Sequence, residues 1–457
     1  MDPSEDEEER GEQFKIMDPL LTTQSEDEEE KGEQSVFIAS LSPTCFGLAL
    51  GVGYANIGGI LDSDRFKKEY DMSDSSTEIL AGIMQLGCII GSAIASRLAD
   101  RMGRVMSLKI GTFILLLGSF LCSIPLFFSN VVSIAFIYVG RTFIGIAGGV
   151  LCAVVPIYTC EIAPTEYRGA IESSFQVSVE LGILIGYVVN YLVIPNYESG
   201  WKISFFAQFL VTTMCIPMFL LRLLPNSSHW LEMRKKTRLL REQDEDKTKS
   251  TMFEKETRGD VIVALTICTL QVGTGIDMLT VYAPQIFSHA LDTNSDNDDD
   301  DPKKLLYTIF VGLTFFCVTP FTVIFVDRIG RRPILLIGCL GMAISLFALS
   351  ISEKYDGGIL SIVFALLFVF CFSFSWGPIA WVIPSEMIST NLRARVISLG
   401  TVLNWIADYL VVSTFLSLKH ALGSSGVFLF YCAINVGAML FVFKFVPETK
   451  GISLAHH

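Results

Sequence analysis

Long runs of apolar residues, separated by short polar segments, dominate the pattern of the chain. Each run holds about 20 mostly apolar residues, the length at which an α-helix spans the hydrocarbon core of a bilayer. The runs show neither the alternation of a membrane β-barrel nor the narrow apolar stripe of a soluble helix. We therefore predict an all-α polytopic membrane protein with twelve spanning helices, at 35–61, 78–96, 105–128, 131–157, 170–194, 202–224, 259–290, 305–326, 333–352, 358–384, 395–418 and 426–446.

Composition agrees with this pattern, and the charge distribution adds an acidic head. The 457 residues are 51% hydrophobic and 18% charged, which is too apolar for a soluble protein of this length. Much of the net charge of −13 comes from residues 1–34, where SEDEEERGEQ returns as SEDEEEKGEQ. Because a run of like charge stays solvated, we predict that 1–34 form a disordered acidic tail and not a signal peptide.

Lysine and arginine are concentrated in the loops on the side of the two chain termini. The largest group lies in the segment 225–258, between the sixth and seventh predicted spans. Since positively charged loops stay in the cytosol, we predict that both termini and this linker are cytosolic. We expect the plasma membrane, with a vacuolar or other internal membrane as the alternative.

The two halves of the chain repeat each other. ADRMGR at 99–104 returns as VDRIGRR at 326–332, and a Glu-x6-Arg segment also occurs in both halves. We therefore predict two six-helix units, 35–224 and 259–446, followed by a short cytosolic tail at 447–457. Duplicated units of this kind are typical of transporters whose substrate site lies between two rocking halves.

Charged residues of the repeated loops are candidates for a gate. Their carboxylates and guanidinium groups can form ion pairs that hold one face of a transporter shut and separate when the halves rock. The other interpretation is ordinary anchoring of positive loops at the membrane surface. The candidates are Asp100, Arg104, Glu161, Arg168, Asp327, Arg331, Arg332, Glu386 and Arg393.

Seven segments together resemble the sugar porter family of the major facilitator superfamily. They are RLADRMGR (97–104), GRTFIGIAGGV (140–150), YTCEIAPTEYRGA (158–170), VDRIGRRP (326–333), WGPIAWVIPSEM (376–387), NLRARVISLGTVLNW (391–405) and PETKG (447–451). The resemblance implies twelve helices in two pseudo-symmetric halves. It further implies alternating-access transport of a monosaccharide, with a hexose such as glucose as the expected substrate.

The resemblance also assigns candidate substrate-binding positions. The amide side chains among them can both donate to and accept from sugar hydroxyls, and the aromatic side chains can cover the C–H face of a sugar ring. The candidates are Gln176 and Ile183 on the fifth helix, Gln271 on the seventh, Trp381 on the tenth, and Asn404 and Trp405 on the eleventh.

Two further candidate positions depart from the pattern of the family. Asp277 and Asp408 stand where the family carries asparagine. Tyr282 resembles the gate tyrosine of the seventh helix, and Gly273 and Gly275 predict a bend in that helix. The substitutions weaken the assignment of a particular sugar and leave the fold prediction unchanged.

Glu180 lies in the middle of the fifth span, too far from either end to reach water along the membrane surface. It follows Gln176 by four residues and therefore shares its helix face, and Asp408 follows Asn404 in the same way. With Asp277, three carboxyl groups would surround one cavity. Proton coupling, attraction of a cationic substrate, and a purely structural hydrogen bond of Glu180 are all open at this point.

Ala55 gives the opposing signal. Proton-coupled members of the family typically carry an aspartate at this point of the first helix, where the chain reads GVGYANIGG (51–59). The resemblance therefore favours facilitated diffusion over proton-coupled symport of a sugar, inositol or a small organic cation. A third alternative is a nutrient sensor on the same scaffold that transports nothing.

The motifs of the sequence also limit the cofactors and partners that we expect. The sequence contains no nucleotide-binding G-x4-G-K-[ST] loop and no cluster of metal-ligating residues. We therefore expect no enzyme activity, no cofactor, no metal and no nucleic-acid partner. The expected partners are a sugar, the lipid bilayer and, in the alternative with coupling, protons. A monomer is the expected functional unit.

Overall fold

A computed structural model describes residues 41, 43–128, 132–162, 168–220, 224, 257–290, 302–355 and 358–450. Within these ranges the regular structure is helical throughout. Eleven helices are long and apolar enough to cross a membrane, and the last of them contains two spans. The prediction of an all-α fold with twelve spanning helices is confirmed. The acidic tail at 1–34, the linker up to residue 256 and residues 451–457 lie outside the described residues.

The twelve spans are labelled α1 to α12. The N-terminal half contains α1 (Pro43–Asp62), α2 (Asp74–Met102), α3 (Arg104–Ser123), α4 (Ser133–Ile162), α5 (Arg168–Val193) and α6 (Gly200–Leu220). The C-terminal half contains α7a (Arg258–Gly273), α7b (Ile276–Ala290), α8 (Pro302–Ile329), α9 (Arg331–Lys354), α10a (Ile359–Phe374), α10b (Trp376–Met387), α11 (390–422) and α12 (424–445). A short helix, Asp64–Tyr70, lies between α1 and α2.

Two glycines in the left-handed region of the backbone divide helices. Gly275 has φ of 95° and separates α7a from α7b, so the predicted bend of the seventh helix is present. A β-carbon at this position would lie 2.6 Å from the ring of Tyr431, which leaves no room for a larger residue. Gly423, with φ of 77°, interrupts the continuous helical stretch between α11 and α12.

Small residues allow α2 and α4 to pack with their backbones in contact. A β-carbon on Gly145 would lie 2.0 Å from the carbonyl oxygen of Met84, and one on Gly149 would lie 2.3 Å from that of Cys88. Glycines four residues apart on one helix face permit this close approach in membranes. The N-terminal half is thereby held as a tightly packed unit.

The outer surface of the helix bundle is apolar. Phe113, Ile337 and Phe443 expose 66%, 59% and 65% of their side-chain surface, respectively, and belong to a larger set of exposed apolar residues on the spanning helices. Such a surface is stable against lipid tails and unstable in water. The chain is a multi-pass membrane protein.

Polar contacts join the two halves at one membrane face. We call the membrane face where α1 begins and α12 ends the terminal face, and the opposite one the distal face. At the distal face, polar contacts join the halves over 2.6–2.7 Å: Asp62 to Lys304, Asp74 to His420, and Glu78 to Ser417. The halves therefore meet closely at the distal face.

Candidate substrate site

Glu180 on α5 lies among polar side chains from both halves. Its Oε1 accepts a hydrogen bond from Gln176 Nε2 at 3.2 Å and another from Thr319 Oγ1 on α8 at 2.8 Å. Glu180 is 3% exposed, and its Oε2 has no hydrogen-bond partner in the structure. The shared helix face of Gln176 and Glu180 is confirmed, and the Thr319 contact extends across the boundary between the halves.

Gln271 and Asn404 form a pair of amides between α7a and α11. Asn404 Nδ2 donates to Gln271 Oε1 at 2.8 Å and to the carbonyl oxygen of Cys268 at 2.8 Å. Asn404 is 5% exposed, whereas Gln271 is half-buried. Two positions that the sequence assigned separately are thus in direct contact.

Asp277 and Asp408 lie side by side with Tyr54. Tyr54 Oη donates to Asp408 Oδ2 at 2.9 Å, and the Asp277 carboxyl lies near both groups. Asp408 is 1% exposed, and its Oδ1 has no hydrogen-bond partner. Since Tyr54 belongs to α1 and Asp408 to α11, this contact also joins the two halves. Two neighbouring carboxylates in an apolar setting repel each other unless a proton or another cation lies with them.

The predicted carboxyls differ in their hydrogen-bond partners. Asp277 and Asp408 share a site with Tyr54, while Glu180 has Gln176 and Thr319 as its partners. Tyr54 and Thr319 were not predicted, because tyrosines and threonines are common in membrane helices and nothing in the sequence marks these two positions.

Aromatic residues complete the candidate site. Tyr282 on α7b is fully buried, donates to the Val412 carbonyl oxygen at 2.8 Å, and stacks on Phe415 with ring centroids 4.9 Å apart. Trp405 is partly buried, and its Nε1 has no acceptor. Trp381 on α10b is also partly buried. Ile183 is 7% exposed and belongs to the apolar core.

Arg141 on α4 is a buried cation with neutral partners. It is 1% exposed, its Nη1 donates to the Gly53 carbonyl oxygen at 3.2 Å, and its Nη2 lies 3.6 Å from the sulfur of Met84. Ala55, two residues after Gly53 on α1, has no ionisable group. The first helix therefore brings a carbonyl, and not a carboxylate, to this arginine.

The charged loops at the terminal face form matching clusters, one in each half. Arg104 pairs with Glu161 at 2.9 Å and with Asp100 at 3.4 Å, and Arg331 pairs with Glu386 at 2.8 Å. An arginine at the start of α3 or α9 thus binds a glutamate near the end of α4 or α10b. The sequence repeat at these loops is a structural repeat. Each of these ion pairs lies within one half, whereas the sequence predicted ion pairs that separate when the halves rock.

Residues of the C-terminal motif add to the second cluster. Glu448 accepts hydrogen bonds from the backbone N–H groups of Arg331 and Arg332 at 3.0 and 3.2 Å, so it caps the N-terminus of α9. Thr449 donates to Glu386. Arg393 donates to the Ile388 carbonyl oxygen. The side chains of Arg168 and Asp327 lie outside the described residues.

Comparisons with known proteins agree with this architecture. The family model Sugar (and other) transporter matches residues 35–457. A protein of Arabidopsis thaliana named Probable polyol transporter 4 is 29% identical over 92% of this chain and 82% of its own length. The D-xylose-proton symporter of Escherichia coli (strain K12) is 28% identical over 92% of this chain and 94% of its own.

Solved structures give the same result. The inward open conformation of the xylose transporter XylE from E. coli superposes with a TM-score of 0.75 at 27% identity, over 92% of this chain and 98% of that one. Its partially occluded inward open conformation gives a TM-score of 0.74. These relatives are transporters and not enzymes. The chain belongs to the Sugar (and other) transporter family and has the fold of the major facilitator superfamily.

Proposed function

We propose that the chain carries a monosaccharide across the membrane by alternating access, with a hexose such as glucose as the first candidate. Three amides support this most: Gln176 on α5, whose partner Glu180 also bonds to Thr319 of the other half, and the Gln271–Asn404 pair of α7a and α11. Amides offer donors and acceptors in fixed positions, which a sugar hydroxyl needs. Relatives named for xylose, galactose and polyols support the same class of substrate.

The proposed site combines these amides with aromatic and acidic groups. Trp381 and Trp405 would cover the apolar face of the sugar ring, and the unpartnered Trp405 Nε1 would donate to a hydroxyl. Asp277 and Asp408 would accept hydroxyl hydrogens, which also suits a polyol such as inositol. Residues 276–290 with Tyr282 would move as the gate of the distal side.

The proposed transport cycle has its ground state closed at the distal face. The contacts of Asp62, Asp74 and Glu78 with the C-terminal half support this, because they must separate before the site can open there. Alternating access of two halves around a midplane site follows from the fold. The ion-pair clusters around Arg104 and Arg331 would keep each half rigid during this movement.

Facilitated diffusion is the first candidate for the energetics. Ala55 has no ionisable side chain, and the buried Arg141 donates to the carbonyl oxygen of Gly53 on α1 and not to a carboxylate. Proton-coupled symport is the second candidate. The proximity of Asp277 and Asp408 favours it, because the pair could hold a proton that leaves when the site opens to the other side.

Counterflow of labelled sugars in proteoliposomes tests the proposal, with and without an imposed pH gradient. The panel includes glucose, galactose, xylose and inositol. We expect counterflow of at least one member, lost in Gln271→Ala and retained in Thr266→Ala, a control whose hydroxyl bonds only to its own helix at Ile262. Uptake driven by the gradient would select symport. Binding of a sugar without counterflow would instead indicate a sensor.

Topology and setting complete the proposal. The excess of positive charge in the loops of the terminal face supports cytosolic termini in the plasma membrane or an internal membrane. We propose a monomer as the functional unit, with the helix bundle surrounded by lipid. Protease protection of a tag at either terminus in sealed vesicles tests the orientation.

A further inference from the structure

A series of contacts between the halves runs along α2 and α11. The two helices are antiparallel, and their contacts recur about once per turn from the distal face inward. His420 Nε2 lies 2.6 Å from Asp74 Oδ2, Ser417 contacts Glu78, and a β-carbon on Gly82 would meet Ser413 and Tyr409 at 3.1–3.2 Å. We call these positions the α2–α11 seam.

Glu78 makes the strongest contact in the seam. Its Oε1 accepts from the Ser417 backbone N–H at 2.6 Å, and its Oε2 accepts from the Ser417 hydroxyl at 2.6 Å. Both oxygens of Glu78 take part in these contacts, and the residue is 6% exposed. Hydrogen bonds of a buried group are costly to leave unmade. Both donors belong to the opposite half.

The Asp74–His420 pair differs from Glu78 in its exposure. The side chains of Asp74 and His420 are 65% and 71% exposed, so water and salt screen their attraction. An exposed pair of this kind contributes little to the closing of a gate. The two acidic residues stand one helical turn apart on α2, and they form a natural test and control.

The seam ends at the candidate substrate site. Tyr409, which packs on Gly82, is the neighbour of Asp408, and Gln85 contacts the Tyr54 hydroxyl that donates to Asp408. A ligand that moves Asp408 therefore acts on the inner end of the same helix contact that Glu78 fastens at its outer end. One rigid pair of helices thus links the site to the distal face.

We infer that Glu78 is the latch of the distal side: its two bonds to Ser417 hold the halves together there and break each time the site opens to that face. This inference rests on the proposed alternating-access cycle. Glu78 acts as a positioning residue, since it fixes the balance between the closed and open distal side and contacts no substrate.

Hydrogen–deuterium exchange of the full chain in lipid nanodiscs tests the latch without any need for a substrate. Glu78→Ala removes both acceptors, and we expect faster exchange in peptides that cover 74–82 and 413–420. An increase of about tenfold in the open population corresponds to the loss of these bonds. Glu78→Gln can still accept from the backbone N–H and donate to the hydroxyl, so it should restore most of the protection. Asp74→Asn should match the wild type.

A second readout uses sugar counterflow from the distal side. When more molecules are open there, the half-saturation concentration on that side falls by the same factor, because the binding-competent fraction rises. Unchanged exchange in Glu78→Ala, or an equal effect of Asp74→Asn, would overturn the latch. Because exchange is measured without sugar, a failure to transport any sugar would contradict the proposed function and leave the exchange result to decide the latch.

Discussion

Replacement of Thr319 by valine isolates the contact that ties α8 to Glu180. Valine has nearly the shape of threonine and lacks the hydroxyl that donates to Glu180 Oε1 at 2.8 Å. Glu180 is 3% exposed, and its Oε1 keeps only the Gln176 donor once the hydroxyl is removed. The loss of one hydrogen bond to a buried carboxyl costs about 1–3 kcal/mol. This corresponds to a factor of roughly 5 to 150 in the equilibrium between the state with this contact and states without it.

The expected result is a lower stability and an altered transport cycle. Thr319→Val should reduce the free energy of unfolding in mixed micelles by about 1–3 kcal/mol. It should also change the half-saturation of counterflow, because Gln176 shares the same carboxylate oxygen and would lose its fixed position. Thr314→Val is the matched control on the same helix, since its hydroxyl donates to the Phe310 carbonyl oxygen of its own helix. Equal stability and equal half-saturation in the two variants would contradict a stabilising role of the Thr319–Glu180 hydrogen bond.

Three further changes test other parts of the account. Asp408→Asn removes the repulsion between the two carboxyls, so any uptake driven by a pH gradient should disappear while exchange at equilibrium persists; gradient-driven uptake in this variant would exclude the pair as the proton site. Gly275→Ala places a β-carbon 2.6 Å from the ring of Tyr431 and demands φ of 95° of an alanine, so thermal stability and counterflow should both fall; normal values would contradict the packing at this break. Glu161→Gln and Glu386→Gln remove equivalent ion pairs of the two halves, and similar losses of stability are expected. A loss confined to one variant would show that the two ion pairs do not stabilise their halves equally.

Sequence patterns that depend on neighbours along one helix predicted their structures well. The spans follow from runs of apolar residues, and the break at Gly275 follows from glycines on either side of Thr274. The hydrogen bond of Gln176 with Glu180 follows from their spacing of four residues. The pairs Arg104–Glu161 and Arg331–Glu386 join residues that the repeat had already matched, although it did not show that each pair stays within one half.

Contacts between distant helices could not be read from the sequence. Thr319, Tyr54 and Glu78 meet their partners across 139, 354 and 339 residues. Glu78 stands near the start of its span, where an acidic residue is ordinary at a membrane surface. Only the packing of α2 on α11 turns it inward to Ser417. The different partners of Glu180 and Asp408 likewise depend on how the helices are placed and not on any local pattern.

Sugar counterflow by the purified chain in proteoliposomes is the decisive measurement for the proposed transport of a monosaccharide or polyol. The account predicts saturable exchange of a labelled monosaccharide or polyol that requires unlabelled sugar inside the vesicle. It also predicts that Gln271→Ala abolishes this exchange and that Thr266→Ala does not. The absence of exchange for every sugar and polyol of the panel, with a folded protein of intact thermal stability, would contradict it.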